Sequence, residues 1–253
     1  MISKNESKLI KSLQLKKYRD QHQLFIVEGS KSVKELLQSK FKIEWIIVTS
    51  SFLKENPTLI DSIFHDKIKV IKENNLSALG SFSTNISILA IAHIPPNLAL
   101  FIEKKEYILM LDQIRDPGNL GTIIRTADWY GINKIICSND CVDVYNPKVI
   151  AASMGSFLRT KIYYCNLGEY LRSVPNSIPV VGSFLTGESV YSFSFPSEAF
   201  LVMGNESNGI EPELLPFITH HIHIPSFGKA ESLNVGIATS IIIDNWKRSF
   251  HSK

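Results

Sequence analysis

Three stretches in the second half of this sequence place polar side chains where chemistry can happen. The first is Asp112-Gln113-Ile114-Arg115-Asp116-Pro117-Gly118-Asn119-Leu120-Gly121-Thr122, running on through Ile123-Ile124-Arg125-Thr126-Ala127. Gly118 and Gly121 let the backbone approach a ligand closely. Asn119 can cap a helix or contact that ligand, and Arg125 is one of few charges on the apolar stretch that follows. The second is Gly204-Asn205-Glu206-Ser207-Asn208-Gly209, two glycines bracketing one acid that can accept hydrogen bonds. The third runs from Ile224-Pro225 through Ser232-Leu233-Asn234 into an apolar helix. Taken singly, each has a plain alternative. Asn119, Ser232 or Asn234 can be simple helix caps, Arg125 a surface salt bridge, and Glu206 a solvated turn residue.

The elements around these stretches make them more specific. Each follows an apolar run that reads as a strand: Tyr107 to Leu111, Phe200 to Met203, and His221 to Ile224. Continuous apolar strands suggest a parallel sheet covered on both faces. In such sheets ligands bind beyond the carboxyl ends of the strands, which puts all three loops on one rim. Further strands are expected near Lys134 to Cys137, Lys161 to Tyr164 and Pro179 to Gly182, with helices over Leu120 to Tyr130 and Asn234 to Phe250. The N-terminal part repeats the alternation. A helix is expected from Ser7 to Arg19 with Leu9, Ile10 and Leu13 inward. Strands are expected at Leu24 to Val27, Ile43 to Val48, Ile68 to Ile71 and Ile86 to Ala92, and a helix at Lys31 to Gln38. The paired prolines of His93-Ile94-Pro95-Pro96-Asn97 mark a boundary. The expected organisation is an α/β domain over residues 1–96, a linker over 97–106 and a second α/β domain over 107–253.

The charge is uneven along the chain. Residues 1–100 hold 14 of the 27 Lys and Arg but only 9 of the 24 Asp and Glu. That surplus suits a polyanion, and the exposed face of the first helix carries Lys8, Lys11, Lys16, Lys17 and Arg19. Three cysteines without framework spacing read as reduced thiols. The start is basic, but no signal-type apolar run follows it, and no run is long enough to span a bilayer; a cytoplasmic protein is expected. His220, His221 and His223 alternate across a strand, so at most two converge, and no acid or cysteine stands at ligand spacing; no metal site is expected. Trp45, Trp129 and Trp246 fall in apolar-patterned segments and read as core.

Together, D-P-G-N-L-G-T-I-I-R-T-A, L-V-M-G-N-E-S-N-G-I and I-P-x-x-G-x-x-x-S-L-N-V resemble the three motifs of the SpoU-type (TrmH-like) RNA 2′-O-ribose methyltransferases of the SPOUT class. The match covers about residues 107–250, and Tyr145-Asn146-Pro147-Lys148 and Ser153-Met154-Gly155 resemble the family's intermediate segment. Leu24 to Gly29 resembles, more briefly, a small ribosomal-protein-like substrate-binding domain. The resemblance implies a trefoil-knotted α/β methyltransferase domain, S-adenosylmethionine as cofactor and a homodimer. It assigns cofactor contacts to Met203, Gly204, Ile224, Pro225 and Leu233. It assigns catalytic and phosphate-handling roles to Asn119, Arg125, Glu206, Ser232 and Asn234. It also implies an RNA partner, ribosomal RNA ahead of tRNA, with no metal and no membrane.

Methyl transfer to a ribose hydroxyl requires that the hydroxyl lose its proton. An arginine side chain is neutral in about one molecule in 10⁵ or fewer at neutral pH, a cost of roughly 7 kcal/mol before chemistry begins. A charged Arg125 that grips an RNA phosphate and stabilises the developing alkoxide is the better expectation. Asn119, Ser232 and Asn234 would then orient ribose and phosphate, and Glu206 would fix loops rather than act as base. A non-catalytic RNA- or ribosome-binding protein on the same fold would be expected to lose part of this polar set, and all five residues are present. A nicotinamide-dependent oxidoreductase would need G-x-G-x-x-G after an early strand, and neither half offers it.

Overall fold

The computed structural model describes residues 2–57, 67–82, 85 and 87–251. Ile86, the expected start of a strand, lies outside them. By its contacts the chain divides into two compact units: Met1–Pro96 with Asp143–Leu158, and Asn97–Val142 with Arg159–Lys253.

In the first unit the single helix expected from Ser7 to Arg19 is two, α1 (Lys4–Ser12) and α2 (Lys16–His22). A capping box starts α1: Glu6 N–H donates to Ser3 Oγ at 3.2 Å and Ser3 N–H to Glu6 Oε2 at 2.7 Å. The break follows from Arg19. Its guanidinium turns inward and donates to the carbonyls of Leu13 and Gln14, both at 2.9 Å. A continuous helix would have used those carbonyls itself.

The remaining elements of this unit are β1 (Leu24–Glu28), α3 (Ser30–Leu37), β2 (Ile43–Thr49), α4 (Ser50–Glu55), β3 (Ile68–Ile71), α5 (Glu73–Ser77) and β4 (Ile88–His93). The strands lie in the order β1-β4-β2-β3, antiparallel except for the parallel pair β2–β3. Strand alternation gives the sheet two apolar faces. Leu24 and Ile26 pack with Ile10, Leu13, Ile47, Leu89 and Ile91. Phe25, between them, meets Phe41, Tyr145 and Phe157 with ring centroids 5.6, 4.6 and 6.1 Å away. Two of those rings come from residues 143–158, so the segment between strands of the second unit completes the core of the first.

The second unit is a six-stranded, wholly parallel sheet. Its strands are β5 (Tyr107–Leu111), β6 (Lys134–Ser138), β7 (Lys161–Cys165), β8 (Val180–Ser189), β9 (Ala199–Met203) and β10 (His220–His223), in the order β10-β8-β9-β5-β6-β7. β5 and β9 are buried along their whole length, as the unbroken apolar runs require. One face packs Ile108, Met110, Phe200 and Val202 against Leu167 and Leu171 of α8 (Leu167–Arg172). From the other, Tyr107 packs its ring against Trp246 of α9 (Val235–His251), tilted by 34° with centroids 4.1 Å apart. α9 lies against α6 (Pro117–Trp129), joined by Thr126–Ser240 and Tyr130–Asp244 hydrogen bonds of 3.0 Å each. α7 (Pro147–Ser153) belongs to the first unit. Trp129 departs from its expected core position: it is 84% exposed at the end of α6. The helix presents Leu120, Ile123, Ile124 and Ala127 inward, and Trp129 falls off that stripe. Among the described residues no helix is long and apolar enough to cross a membrane.

Candidate active site

The two central strands set the site. β5 and β9 are parallel neighbours in register from Tyr107–Ala199 to Leu111–Met203, so the chain leaves both at the same edge, into Asp112 and Gly204. Asp112 N–H continues the ladder to Met203 C=O at 2.9 Å. Beyond it Gln113 takes a left-handed backbone, φ 53°. Its N–H is held by Ser138 Oγ at 2.8 Å and its carbonyl by Asn205 Nδ2 at 2.8 Å.

α6 begins three residues earlier than its apolar periodicity suggests. Asp116 is the N-cap, accepting from Asn119 N–H at 2.8 Å, and Pro117 occupies the first helical position. Asn119 therefore does not cap the helix; its side chain is left for other contacts. Its Nδ2 donates to Glu206, and its Oδ1 accepts from Asn234 Nδ2 at 2.8 Å. Asn234 Oδ1 in turn caps α9, accepting from Gly236 N–H at 3.0 Å and Ile237 N–H at 3.3 Å. Three residues, one in the first turn of α6, one in the Gly204–Gly209 loop and one capping α9, some 115 positions apart at the extremes, thus form one chain of side-chain hydrogen bonds.

The Gly204–Gly209 loop is closed on itself. Asn205 and Gly209 exchange two backbone hydrogen bonds of 2.9 Å, and Asn205 Oδ1 accepts from Ser207 N–H at 2.8 Å. A side chain on Gly204 would overlap the carbonyl of Gly209 and the nitrogen of Ile210, so the close approach needs glycine. Past the loop, Glu211 N–H donates to the buried Asp112 carboxylate at 2.8 Å, and Gln113 Nε2 reaches Glu211 Oε1 at 2.5 Å. Burial pushes the Asp112 carboxyl above the usual carboxylate range, with Glu211, Glu213 and Asp140 adding to the rise; the Glu211 N–H opposes it. Asp112, Gln113, Asn205 and Glu211 are thus part of the site's framework. The sequence reading assigned none of them a role, because their types and spacing are those of ordinary strand-end residues.

The third loop differs. Ser226 to Asn234 is exposed throughout, and no backbone N–H or C=O from Ser226 to Leu233 has a backbone partner among the described residues. Ser232 and Leu233 belong to this open stretch, and the structure does not bond either to the Asn119–Glu206–Asn234 chain. Ile224 and Pro225 are half-buried at its start, and Met203 is buried beneath Gly204. Arg125, on the ninth residue of α6, is exposed and has no ion-pair partner among the described residues.

A sulfonium cofactor fits this surface chemically. Backbone groups from Ser226 to Leu233 that lack a backbone partner among the described residues lie in sequence beside apolar Ile224 and Leu233, and the Glu206 carboxylate is joined through Asn119 to Asn234 at the end of that stretch. Among the described residues no group of three His, Cys, Asp or Glu is arranged to hold a metal. His221 stacks on Phe184 at 4.2 Å, and His220 meets Phe193 edge-on.

In the first unit Lys8, Lys11, Lys16 and Lys17 are exposed. Arg19 is not available to RNA, which corrects the expectation for it. It is 1% exposed and paired with Asp143 at 2.7 Å, because its guanidinium must satisfy the carbonyls left by the helix break.

The SpoU rRNA Methylase family model matches residues 106–244, and the model of the MRM3-like substrate binding domain matches residues 4–84. The chain is 31% identical over 237 residues to the Bacillus subtilis 23S rRNA (guanosine(2553)-2′-O)-methyltransferase RlmP, covering 92% of each protein. It also matches the structure of a protein from Porphyromonas gingivalis described as an RNA methyltransferase of the TrmH family, at 36% identity and a TM-score of 0.87, over 98% of this chain and 99% of that one. An S-adenosylmethionine-bound rRNA methyltransferase from Sinorhizobium meliloti matches at 28% identity and a TM-score of 0.86, over 98% and 97% of the two chains.

Proposed function

Because this chain belongs to the SpoU rRNA methylase family, we propose that it methylates a ribose 2′-hydroxyl of ribosomal RNA, using S-adenosylmethionine as donor. The observation that carries this reading is the Asn234–Asn119–Glu206 hydrogen-bond chain, with the unpaired Arg125 on the same helix as Asn119. Ribosomal RNA is favoured over tRNA because RlmP of Bacillus subtilis acts on 23S rRNA.

When bound, S-adenosylmethionine supplies an electrophilic methyl group on a sulfonium. The chain's own residues do the rest. Ile224, Pro225, Leu233, Met203 and Gly204 hold the donor, largely through backbone groups in the third loop. Glu206 is tied by Asn119 and so is fixed in place beside the donor loops, a positioning role rather than that of a mobile base. Arg125 keeps its charge, grips the phosphate next to the target ribose, and stabilises the oxyanion as its proton leaves to that phosphate or to water. Ser232 and Asn234 orient the ribose. Lys8, Lys11, Lys16 and Lys17 hold the RNA through phosphates, so binding weakens as salt rises.

Residues 1–96, with the 143–158 segment that packs into the same unit, serve as the RNA substrate-binding domain, and the rest of the chain from residue 97 serves as a knotted methyltransferase domain. The protein acts as a homodimer in the cytoplasm. Trp129 on α6 and Ile237 on α9, 84% and 53% exposed, support an apolar contact between copies. Mapping ribose methylation in ribosomal RNA with and without the gene tests the reading. Loss at one ribose is expected; full methylation in the deletion strain would overturn it.

A further inference from the structure

The chain has six arginines, and most of their charge is already answered. Arg19 pairs with Asp143, Arg159 with Asp128 at 2.8 Å, and Arg248 faces Asp244 at 3.8 Å. Arg172 lies over the ring of Phe217. Among the described residues only Arg115 and Arg125 have neither a carboxylate nor a ring beside them, and both lie in or just before α6. Arg125 has its role above. Arg115 is one residue before the Asp116 cap, exposed, and assigned to nothing.

Arg115 is nevertheless held. Its Nη2 donates to Gln113 Oε1 at 2.9 Å. Gln113 is in turn bonded at every polar atom: N–H to Ser138 Oγ, carbonyl from Asn205 Nδ2, Nε2 to Glu211, Oε1 from Arg115. Those bonds keep it at φ 53°, a backbone region that a glutamine seldom adopts. An amide oxygen orients a guanidinium without cancelling its charge, and four of the five N–H donors stay free. A solvated side chain that only needed solubility would gain nothing from this arrangement. A side chain meant to meet an anion would be spared part of its ordering cost on binding.

We propose that Arg115 is an RNA phosphate-binding residue held in place by Gln113, giving the strand-end rim a second phosphate contact besides Arg125. Gln113 is the positioning residue: it couples Arg115 to Asn205 and Glu211, the residues that brace the Glu206 loop. The assignment rests on the RNA methylation reading above.

The test uses the full-length protein, labelled S-adenosylmethionine and total ribosomal RNA from cells lacking the gene. Arg115→Ala is expected to raise KM for RNA about tenfold. It should leave kcat and donor affinity within about twofold, and reduce the salt slope of RNA binding by about one ion. Arg115→Lys should restore the slope but only part of the KM, since charge returns without the fork. Gln113→Asn, which tolerates the left-handed backbone but is too short to reach Arg115, should raise KM in the wild-type background. In the Arg115→Ala background it should add nothing to KM. Unchanged KM and slope in Arg115→Ala, in an enzyme that methylates RNA normally, would overturn the proposal alone. If the wild-type protein methylates no RNA, the functional reading itself fails.

Discussion

The loop after β9 and the loop before α9 flank the same site and are built in opposite ways. Gly204 to Ile210 is closed by reciprocal backbone bonds, an Asn205 side-chain turn, and a tie to Gln113. Ser226 to Leu233 is exposed, lacks backbone partners among the described residues, and is anchored at its end by Asn234. The fold therefore ties the Glu206 carboxylate to Asn119, whereas no comparable set of bonds among the described residues holds the other loop. Ordering eight backbone residues costs on the order of 10 kcal/mol if they start fully free. If the donor binds this loop as proposed, its affinity depends on how much of that ordering cost its contacts offset.

Gly204→Ala should have the largest effect. The added methyl overlaps backbone on the opposite side of the closed loop, which cannot yield without opening the Asn205–Gly209 pair. A loss of about 3 kcal/mol or more is expected, read as a fall in melting temperature, with donor binding undetectable by calorimetry. An unchanged melting temperature would show that this loop is no more constrained than its neighbour.

Asn205→Ala should come next. It removes the acceptor for Ser207 N–H and the donor to Gln113 C=O while leaving the backbone pair. About 2 kcal/mol of stability and tenfold or more in donor affinity should be lost. If donor affinity falls while stability holds, the loop's order serves binding alone, and the contrast between the loops is one of function rather than fold.

The contrast was partly legible in the sequence. The apolar runs of β5 and β9 fixed the strand positions to within a residue, and with them the shared edge for Asp112 and Gly204. The start of α6 was misplaced because Asp116-Pro117, an N-cap followed by a first-turn proline, outweighs apolar periodicity as a boundary signal. β8 runs seven residues beyond Gly182 with no apolar alternation to announce it, its extension being set by pairing with β10. Arg19 read as a surface charge because its partner, Asp143, is 124 residues away. The allocation of residues 143–158 to the first unit was likewise invisible, since Tyr145 and Phe157 look like any apolar residues until Phe25 is beside them. The open state of Ser226 to Leu233 has no sequence signature either; its glycine and serine content fits a closed turn equally well.

Proteolysis sharpens the contrast at smaller cost to the protein. Lys229 sits in the open loop, and trypsin should cut there readily in the free protein. Saturating S-adenosylmethionine should slow that cut about tenfold, while cleavage after lysines of α1 and α2 proceeds at an unchanged rate. Slow cutting at Lys229 without the donor would mean the loop is already ordered, and the two loops would be alike.

Phe227→Ala should have the smallest effect on the folded protein. Phe227 is 90% exposed and stacks on no other ring among the described residues, so its truncation removes almost no buried area, and the stability change should stay within about 0.5 kcal/mol in chemical denaturation. A residue of equal size in the closed loop's underlying core, such as the fully buried Phe200, would cost about 3 kcal/mol or more on the same change. If Phe227→Ala destabilises the free protein by more than 1 kcal/mol, the ring is packed in solution and the loop is closed before the donor binds. If it is silent in the free protein but lowers donor or RNA affinity, the exposed ring is recruited on binding, as expected of a loop ordered by its ligand.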